Sequence, residues 1–150
     1  MRTYDYRAAG CVVLDASARV LVLERPARDE WRLPKGHIDA GEDAARTALR
    51  ETAEEAGYAA VALEVDLGPQ VVVFAHEGRV FRRLEHYFRA RLLDGEVRSE
   101  RPKEDRRQFI VHWLSAPEAL ARLSYAPERN ALAKALARPP GTDPRLGSAT

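Results

Sequence analysis

One segment, residues 42–57, constrains the fold of this chain more than any other. It is rich in Ala, Glu, Arg and Leu, which favour an α-helix, and it ends at Gly57, a residue type typical just beyond a helix C-terminus. On a helical wheel, an arc of about 140° carries the small and apolar side chains that we expect to face the core: Ala45, Ala48, Leu49, Thr52, Ala53 and Ala56. The segment therefore predicts an amphipathic helix packed against another layer.

Three carboxylates share one edge of this predicted helix. Glu51, Glu54 and Glu55 stand at positions i, i+3 and i+4, so they occupy a common arc and repel one another by roughly 0.2–0.5 kcal/mol for each pair. A glutamate-rich edge is ordinarily a solvated surface. Clustered carboxylate oxygens also select hard cations such as Mg²⁺ or Mn²⁺. The sequence around the helix is needed to distinguish a solvated surface from a metal-binding surface.

Strands are predicted on both sides of the helix, from hydrophobic patterning and turn residues, at residues 6–14, 20–23, 61–67, 71–76, 80–91 and 108–114. Ser115 and Glu118 have capping-box spacing and predict a helix over residues 115–123, followed by another over 127–137. The polar residues 94–105 predict a loop. Strands and helices do not alternate regularly, so we expect an α+β sandwich rather than a doubly wound sheet.

Length and composition predict one domain. The chain has 150 residues, and domains cluster at about 100–150 residues. We expect the domain to occupy residues 1–137. Residues 138–150 contain three prolines and two glycines and predict a flexible tail.

Charge and apolar content narrow the partners. The chain carries 24 Lys and Arg against 23 Asp and Glu, a balance that argues against a general nucleic-acid binder. No apolar stretch approaches the roughly 18 residues that span a membrane, and no secretion signal follows Met1. One cysteine, Cys11, fits a reducing compartment. We therefore expect a cytoplasmic protein with a small-molecule partner, and homodimer formation stays open.

The helix and its flanking loop carry a recognisable pattern. Seven positions stand at fixed spacings over 23 consecutive residues: Gly36, Glu42, Arg50, Glu51, Glu54, Glu55 and Gly57. This pattern resembles the Nudix box, the motif of the Nudix hydrolase family, and its chance of arising at a given start is on the order of one in a hundred million. Thr52 departs from it, since the family usually has a large aliphatic residue there. The resemblance implies a Nudix-type α/β/α sandwich with a mixed central sheet.

The resemblance also implies roles for individual residues. Glu51, Glu54 and Glu55 match the ligands of Mg²⁺ or Mn²⁺, with the backbone carbonyl of Gly36 as a further ligand. Glu51 and Glu54 are thereby expected to be catalytic. Glu42 and Arg50 are expected to orient the metal ligands rather than bind the ion.

A further carboxylate from a later loop acts as ligand or general base in related enzymes. Glu104 is our catalytic candidate in this chain, with Asp105 and Glu100 as open alternatives.

The residues before the box suggest a substrate class. Residues 31–37 resemble the entry to the box in the branch that hydrolyses diadenosine polyphosphates and diphosphoinositol polyphosphates. We expect Lys35 to contact a phosphate, and Trp31 or Tyr87, with Phe74 as a further candidate, to stack a nucleobase. Arg82 is expected to hold the far end of a polyphosphate, as are Arg83, Arg101, Lys103, Arg106 and Arg107. Packing roles for the aromatic residues and solvation of the arginines are the competing interpretations.

We therefore expect an Mg²⁺-dependent pyrophosphohydrolase that cleaves a phosphoanhydride bond in a nucleoside diphosphate linked to another moiety. The preferred substrates are diadenosine polyphosphates or nucleoside triphosphates. ADP-ribose or nucleotide-sugar hydrolysis remains an alternative, and removal of pyrophosphate from RNA 5′ ends is disfavoured by the near-neutral charge. A nucleotide-binding sensor without catalysis is the competing class, although such a sensor has no need of three clustered carboxylates.

Overall fold

One mixed sheet forms the centre of the molecule. The computed structural model describes residues 3–146, and the strands in that range are β1 (Thr3–Leu14), β2 (Val20–Arg25), β3 (Glu30–Arg32), β4 (Lys35–His37), β5 (Val61–His76), β6 (Arg79–Leu92) and β7 (Ile110–Leu114). The strand order is β3-β2-β1-β6-β5, with β4 paired to β1 and β7 paired to β2. β1 and β6 run parallel and the other pairs run antiparallel. The predicted mixed sheet is confirmed.

Four α-helices accompany the sheet within the described residues: α1 (Ala44–Ala56), α2 (Lys103–Gln108), α3 (Ala116–Arg122) and α4 (Ala126–Ala137). Short 3₁₀ turns occupy Pro26–Arg28 and Pro144–Leu146. α1 begins where the Asp43 side chain accepts a hydrogen bond from the Arg46 N–H at 2.8 Å, and it ends at Gly57 with φ 81°. These caps satisfy backbone groups that a helix leaves unpaired at its ends.

The helices cover both faces of the sheet. Because side chains alternate along a strand, Cys11 and Val13 of β1 face α1, whereas Val12 faces α3 and α4. The core on the α1 face is completed by residues such as Leu21, Leu23, Ala48 and Phe88. The opposite core includes Val20, Val22, Leu123 and Leu132. The α+β class and the α/β/α sandwich are confirmed.

No helix among residues 3–146 combines the length and the apolar character needed to cross a lipid bilayer.

The buried face of α1 differs from the prediction. Leu49 is 37% exposed, and Ala45 and Ala53 are only partly buried. Thr47 and Glu55 are buried instead. A helical wheel treats a glutamate as exposed because it cannot identify a buried cation elsewhere in the chain that would compensate its charge.

Two other predicted boundaries were wrong. Residues 61–67 and 71–76 belong to one strand, because a register shift between Asp66 and Pro69, with Gly68 at φ 78°, carries β5 past its proline. The predicted loop over residues 94–105 ends earlier, at Pro102, and α2 begins at Lys103. Both Glu104 and Asp105 therefore lie on the first turn of a helix.

The segment predicted as a flexible tail contacts the sheet in its described part. The buried Arg89 guanidinium donates hydrogen bonds to the carbonyl oxygens of Arg138, Pro139 and Gly141 at 2.9–3.2 Å. Asp143 is buried and its N–H donates to the Glu64 carbonyl. Residues 147–150 lie outside the described residues, and flexibility of 138–150 stays a prediction.

β4 packs so closely on β1 that residue 10 has to be glycine. A Cβ atom on Gly10 would lie 2.3 Å from the Pro34 carbonyl oxygen and 2.6 Å from the Lys35 Cβ. The approach also lets the Cys11 N–H donate to the Pro34 oxygen at 3.1 Å. The loop that enters the Nudix-like motif is thereby fixed against the central strand.

We expect Gly10→Ala to lower the free energy of unfolding by about 1–3 kcal/mol, because overpacking forces the backbone to shift. Gly95→Ala is the matched control, since its Cβ would meet only Leu92 Cδ2 at 3.5 Å. Urea unfolding followed by circular dichroism measures both variants. A Gly10→Ala variant as stable as Gly95→Ala would contradict the close packing of β4 on β1.

Candidate functional site

Gly36 and Glu51 meet where β4 passes α1. A Cβ atom on Gly36 would lie only 2.2 Å from the carboxyl carbon of Glu51. Only glycine therefore allows the backbone of residue 36 to approach this carboxylate. The structure therefore brings residue 36 next to one predicted carboxylate ligand.

Arg50 connects the carboxylates of this region. Its Nη1 donates to Glu51 Oε1 at 2.9 Å and to Glu54 Oε2 at 3.2 Å. Its Nε and Nη2 donate to the two oxygens of Glu42 at 2.7 and 2.9 Å, and Nη2 also donates to the His37 carbonyl at 3.1 Å. The hydrogen bonds from Arg50 lower the pKa of Glu42 to about 2. Glu42 stays charged and can hold Arg50, which in turn orients the other two glutamates.

Glu55 is compensated differently, because it is buried. Arg32 Nη2 donates to its two oxygens at 3.0 and 3.3 Å, and the Lys35 N–H donates to Oε1 at 2.8 Å. Burial nevertheless raises the pKa of Glu55 to about 7. Sequence reasoning missed Arg32, since nothing in its spacing links it to a glutamate 23 residues later.

Among the three candidate acids after β6, Asp105 is the one whose charge acts on a glutamate of the cluster. Glu104 and Glu100 are exposed, whereas Asp105 is half-buried. Burial, and then the charge of Glu54, raise the pKa of Asp105. Burial also raises the pKa of Glu51, with smaller contributions from Glu54 and Asp105. Asp105 is therefore the candidate carboxylate that interacts electrostatically with the glutamate cluster.

Arg101 links the end of α1 to α2 through hydrogen bonds to backbone carbonyls. Its Nε donates to the Glu55 carbonyl at 3.0 Å, and its Nη2 donates to the carbonyls of Asp105 and Phe109 at 3.1 and 2.8 Å. Nearby, Arg98 donates to the carbonyls of Gly57 and Ala56. Arg101 is therefore engaged with backbone carbonyls, and we do not keep it as a phosphate contact.

The donor set fits a hard divalent cation. Glu51, Glu54 and Asp105 have carboxylate oxygens, and Gly36, which lies beside Glu51, has a backbone carbonyl; these are the ligand types that Mg²⁺ and Mn²⁺ prefer. Among residues 3–146, no three His, Cys, Asp or Glu side chains are arranged so that they could hold a metal ion in this conformation. Arg50 Nη1 lies between Glu51 and Glu54 and balances their charges in this arrangement.

A cavity of about 370 Å³ adjoins the cluster through Arg32 and Lys35. Its walls are mainly cationic and aromatic, with one acid: Arg25, Arg28, Glu30, Arg32, Lys35, Val72, Phe74, His76, Arg83 and Tyr125. The Lys35 ammonium lies 6.0 Å from the centre of the Tyr125 ring. The Arg83 guanidinium lies 5.0 Å from the centre of the Phe74 ring. Such walls suit a ligand with an anionic chain and a planar ring.

The structure places the predicted substrate contacts in different locations. Lys35 lines the cationic cavity. Tyr87 is completely buried and its hydroxyl donates to Glu85 Oε1 at 2.8 Å, so the ring has no free face and we remove it from the substrate-binding set. Strand periodicity alone could not tell which aromatic residues of β6 point inward.

The two other substrate candidates lie away from the cationic cavity. Arg82 pairs with Asp5 and lines a separate cavity of about 830 Å³. The Trp31 ring lies 4.9 Å from the Arg122 guanidinium and 4.8 Å from the His112 ring. Trp31 is not among the residues that line the cationic cavity. Nucleobase stacking by Trp31 stays a prediction.

The mixed sheet between helices, with a glutamate cluster on α1 beside Gly36, defines a Nudix-type domain. A comparison with protein families matches the NUDIX domain over residues 5–136, so the chain belongs to this family.

Curated relatives and solved structures agree with this assignment. The chain is 38% identical over 138 residues to the putative mutator protein MutT4 of Mycobacterium tuberculosis, covering 86% of this chain and 54% of that protein. It is 30% identical over 127 residues to 8-oxo-(d)GTP phosphatase of Mycolicibacterium smegmatis, covering 85% and 36%. The chain thus spans about half or less of these relatives.

Solved structures share the fold at lower identity. The binary complex of the C. elegans Ap4A hydrolase has a TM-score of 0.66 at 22% identity and covers 86% of this chain and 93% of that chain. The MutT protein from Bacillus halodurans has a TM-score of 0.67 at 24% identity and covers 89% and 83%. Likeness at this level of identity supports the fold.

Asp105→Asn is expected to weaken Mn²⁺ binding about tenfold, because groups that bind or orient a metal's ligands typically contribute about 10–100-fold to affinity. Glu104→Gln, one residue away and exposed, should leave the affinity unchanged. Electron paramagnetic resonance titration of free Mn²⁺ measures both dissociation constants. A larger loss in Glu104→Gln than in Asp105→Asn would return the role to Glu104.

Proposed function

We propose that this domain is a divalent-metal-dependent pyrophosphohydrolase that uses water to cleave a phosphoanhydride bond of a nucleotide. The proposal rests on the contacts of Arg32 and Lys35, which link the carboxylate cluster to the cationic cavity. Arg32 donates to Glu55 of the carboxylate cluster, Lys35 donates its N–H to the same carboxylate, and both side chains line the cationic cavity. A polyphosphate held in the cavity would therefore reach the carboxylates.

The residues divide the chemistry between them. Glu51, Glu54 and the Gly36 carbonyl would hold Mg²⁺ or Mn²⁺. Glu55 is the third glutamate that the family motif places beside them. When bound, the ion supplies neutralisation of phosphate charge and lowers the pKa of water. Asp105 would add a carboxylate oxygen to these ligands from the first turn of α2.

The cavity residues would bind the substrate. Lys35, Arg32 and Arg28 present cations to the phosphate chain, which are favoured partners for phosphate oxygens. Tyr125 presents a ring on which a base can stack, whereas the Phe74 ring is already stacked on Phe81 and lies under the Arg83 guanidinium. Tyr125 is held in place because its hydroxyl donates to Glu30 Oε2 at 2.5 Å.

The charge of the cavity favours long phosphate chains. Five Arg and Lys side chains line it against a single acid, Glu30. Nucleoside triphosphates and dinucleoside polyphosphates carry more negative charge than ADP-ribose or nucleotide sugars, so we propose the first two as substrates. A relative named as an 8-oxo-(d)GTP phosphatase supports the first of these two classes.

The test is a turnover screen with Mg²⁺ across nucleoside triphosphates, dinucleoside polyphosphates, ADP-ribose, nucleotide sugars and 5′-triphosphate RNA. Running it in ¹⁸O-labelled water and identifying the labelled product names the attacked phosphorus. We expect the highest kcat/KM for a nucleoside triphosphate or a dinucleoside polyphosphate. Tight binding of these nucleotides without turnover of any would favour a sensor instead.

Glu54→Gln should lower kcat by about 100-fold or more without changing thermal stability, because it removes charge from a half-exposed ligand. Glu118→Gln is the control, since this glutamate is exposed on α3 and pairs with Arg122 at 3.0 Å. Steady-state kinetics at saturating Mg²⁺ compares the two variants. A near-wild-type kcat for Glu54→Gln would refute its assigned role.

A further inference from the structure

The segment from Leu33 to Gly36 is held by three separate elements. The Leu33 N–H donates to Glu128 Oε1 at 2.6 Å, and the Lys35 N–H donates to Glu55 Oε1 at 2.8 Å. Between them, the Pro34 carbonyl accepts from the Cys11 N–H on β1. Two buried carboxylates, one from α1 and one from α4, thus hold alternate backbone amides immediately before Gly36.

Glu128 is an unusual residue for its position on α4. It is 1% exposed, and its second oxygen lies 3.6 Å from the Lys35 ammonium. Burial raises the pKa of Glu128, while Lys35 and the Leu33 N–H oppose that rise. A buried carboxylate costs stability unless it is paired and hydrogen-bonded. The chemistry proposed above does not use this side chain.

Packing alone does not explain a carboxylate at this position. α4 already buries Ala131, Leu132 and Ala135 against the sheet. Replacing a buried ion pair by well-packed apolar side chains is often neutral or stabilising. An apolar side chain at position 128 could fill the space, but it could not accept the Leu33 N–H.

We propose that Glu128 is a positioning residue, which fixes the Leu33 backbone from the sheet face opposite α1 and so holds Gly36 and Lys35 in place. This inference rests on the proposed function, because Gly36 would serve the metal ion and Lys35 the phosphate chain. This hydrogen bond from Leu33 to Glu128 makes the metal site depend on α4, an element that contributes no ligand to it. Glu55 and Glu128 act on the two sides of Pro34.

Two substitutions separate the effect of the Glu128 side-chain length from the effect of its charge. Glu128→Gln keeps the side-chain length and an oxygen that can accept the Leu33 N–H, but it removes the charge. Glu128→Asp keeps the charge but shortens the side chain by one methylene group, so its oxygen withdraws from Leu33. The apolar contacts of α4 stay intact in both variants, but Glu128→Gln also leaves the buried Lys35 ammonium without its carboxylate partner, so thermal unfolding checks the fold of each.

We expect Glu128→Asp to weaken Mn²⁺ binding and lower kcat by about tenfold, as for groups that orient a metal's ligands. Glu128→Gln should keep both quantities within about threefold of wild type on the same basis. Hydrogen exchange of the Leu33 amide, followed by NMR, should be faster in the Asp variant than in the Gln variant. Wild-type Mn²⁺ affinity and kcat in Glu128→Asp, or an equal loss in both variants, would overturn the positioning role.

The three readouts distinguish this inference from the proposed function. If wild type binds Mn²⁺ but hydrolyses no nucleotide, the proposed hydrolysis fails, while Mn²⁺ affinity still decides whether Glu128 positions the metal site. If wild type binds no Mn²⁺ either, both the proposed function and the positioning role are refuted. The Leu33 amide exchange then reports only whether Glu128 holds the backbone.

Discussion

Compensation of three carboxylates on one edge of α1 is the constraint on which the site depends. Two like charges at helical spacing cost only a few tenths of a kcal/mol, roughly, when solvated, but burial increases the cost. The chain meets it in two ways: Arg32 and a backbone N–H face the buried Glu55, while Arg50 bridges the less buried Glu51 and Glu54. The Arg50 contacts are the easier ones to replace, because a divalent cation can take the position of its Nη1 between Glu51 and Glu54.

The fold brings separate parts of the chain to this edge. β4 pairs with β1 and carries Gly36 against Glu51, and Arg101 joins the C-terminal part of α1 to the α2 backbone at Asp105. The cationic cavity is built mainly from other elements: β2, β5, β6 and the residue before α4. Arg32 and Lys35 connect the two sides, since the Arg32 guanidinium and the Lys35 N–H donate to Glu55 while both side chains line the cavity. A rigid connection is needed there, and two buried glutamates provide it.

The sequence predicted what depends on short-range spacing and missed what depends on distant partners. The extent of α1, its C-cap at Gly57 and the mixed sandwich could be anticipated from local residue patterns and the motif. Arg32 could not, since its partner Glu55 lies 23 residues away and on another element. Tyr87 was misassigned because strand alternation gives two faces without saying which is buried. Asp105 could be separated from Glu104 only by the orientation of α2, a helix the sequence did not predict.

The most direct measurement is a crystal structure of the domain with Mn²⁺, using anomalous scattering to locate the ion. The account predicts a peak about 2.1 Å from oxygens of Glu51, Glu54 and the Gly36 carbonyl, a distance typical of small divalent cations. Arg50 Nη1 should then have left its position between the two glutamates while its Nε still contacts Glu42. An anomalous peak elsewhere, or none with Arg50 unmoved at high Mn²⁺, would contradict the metal-binding surface.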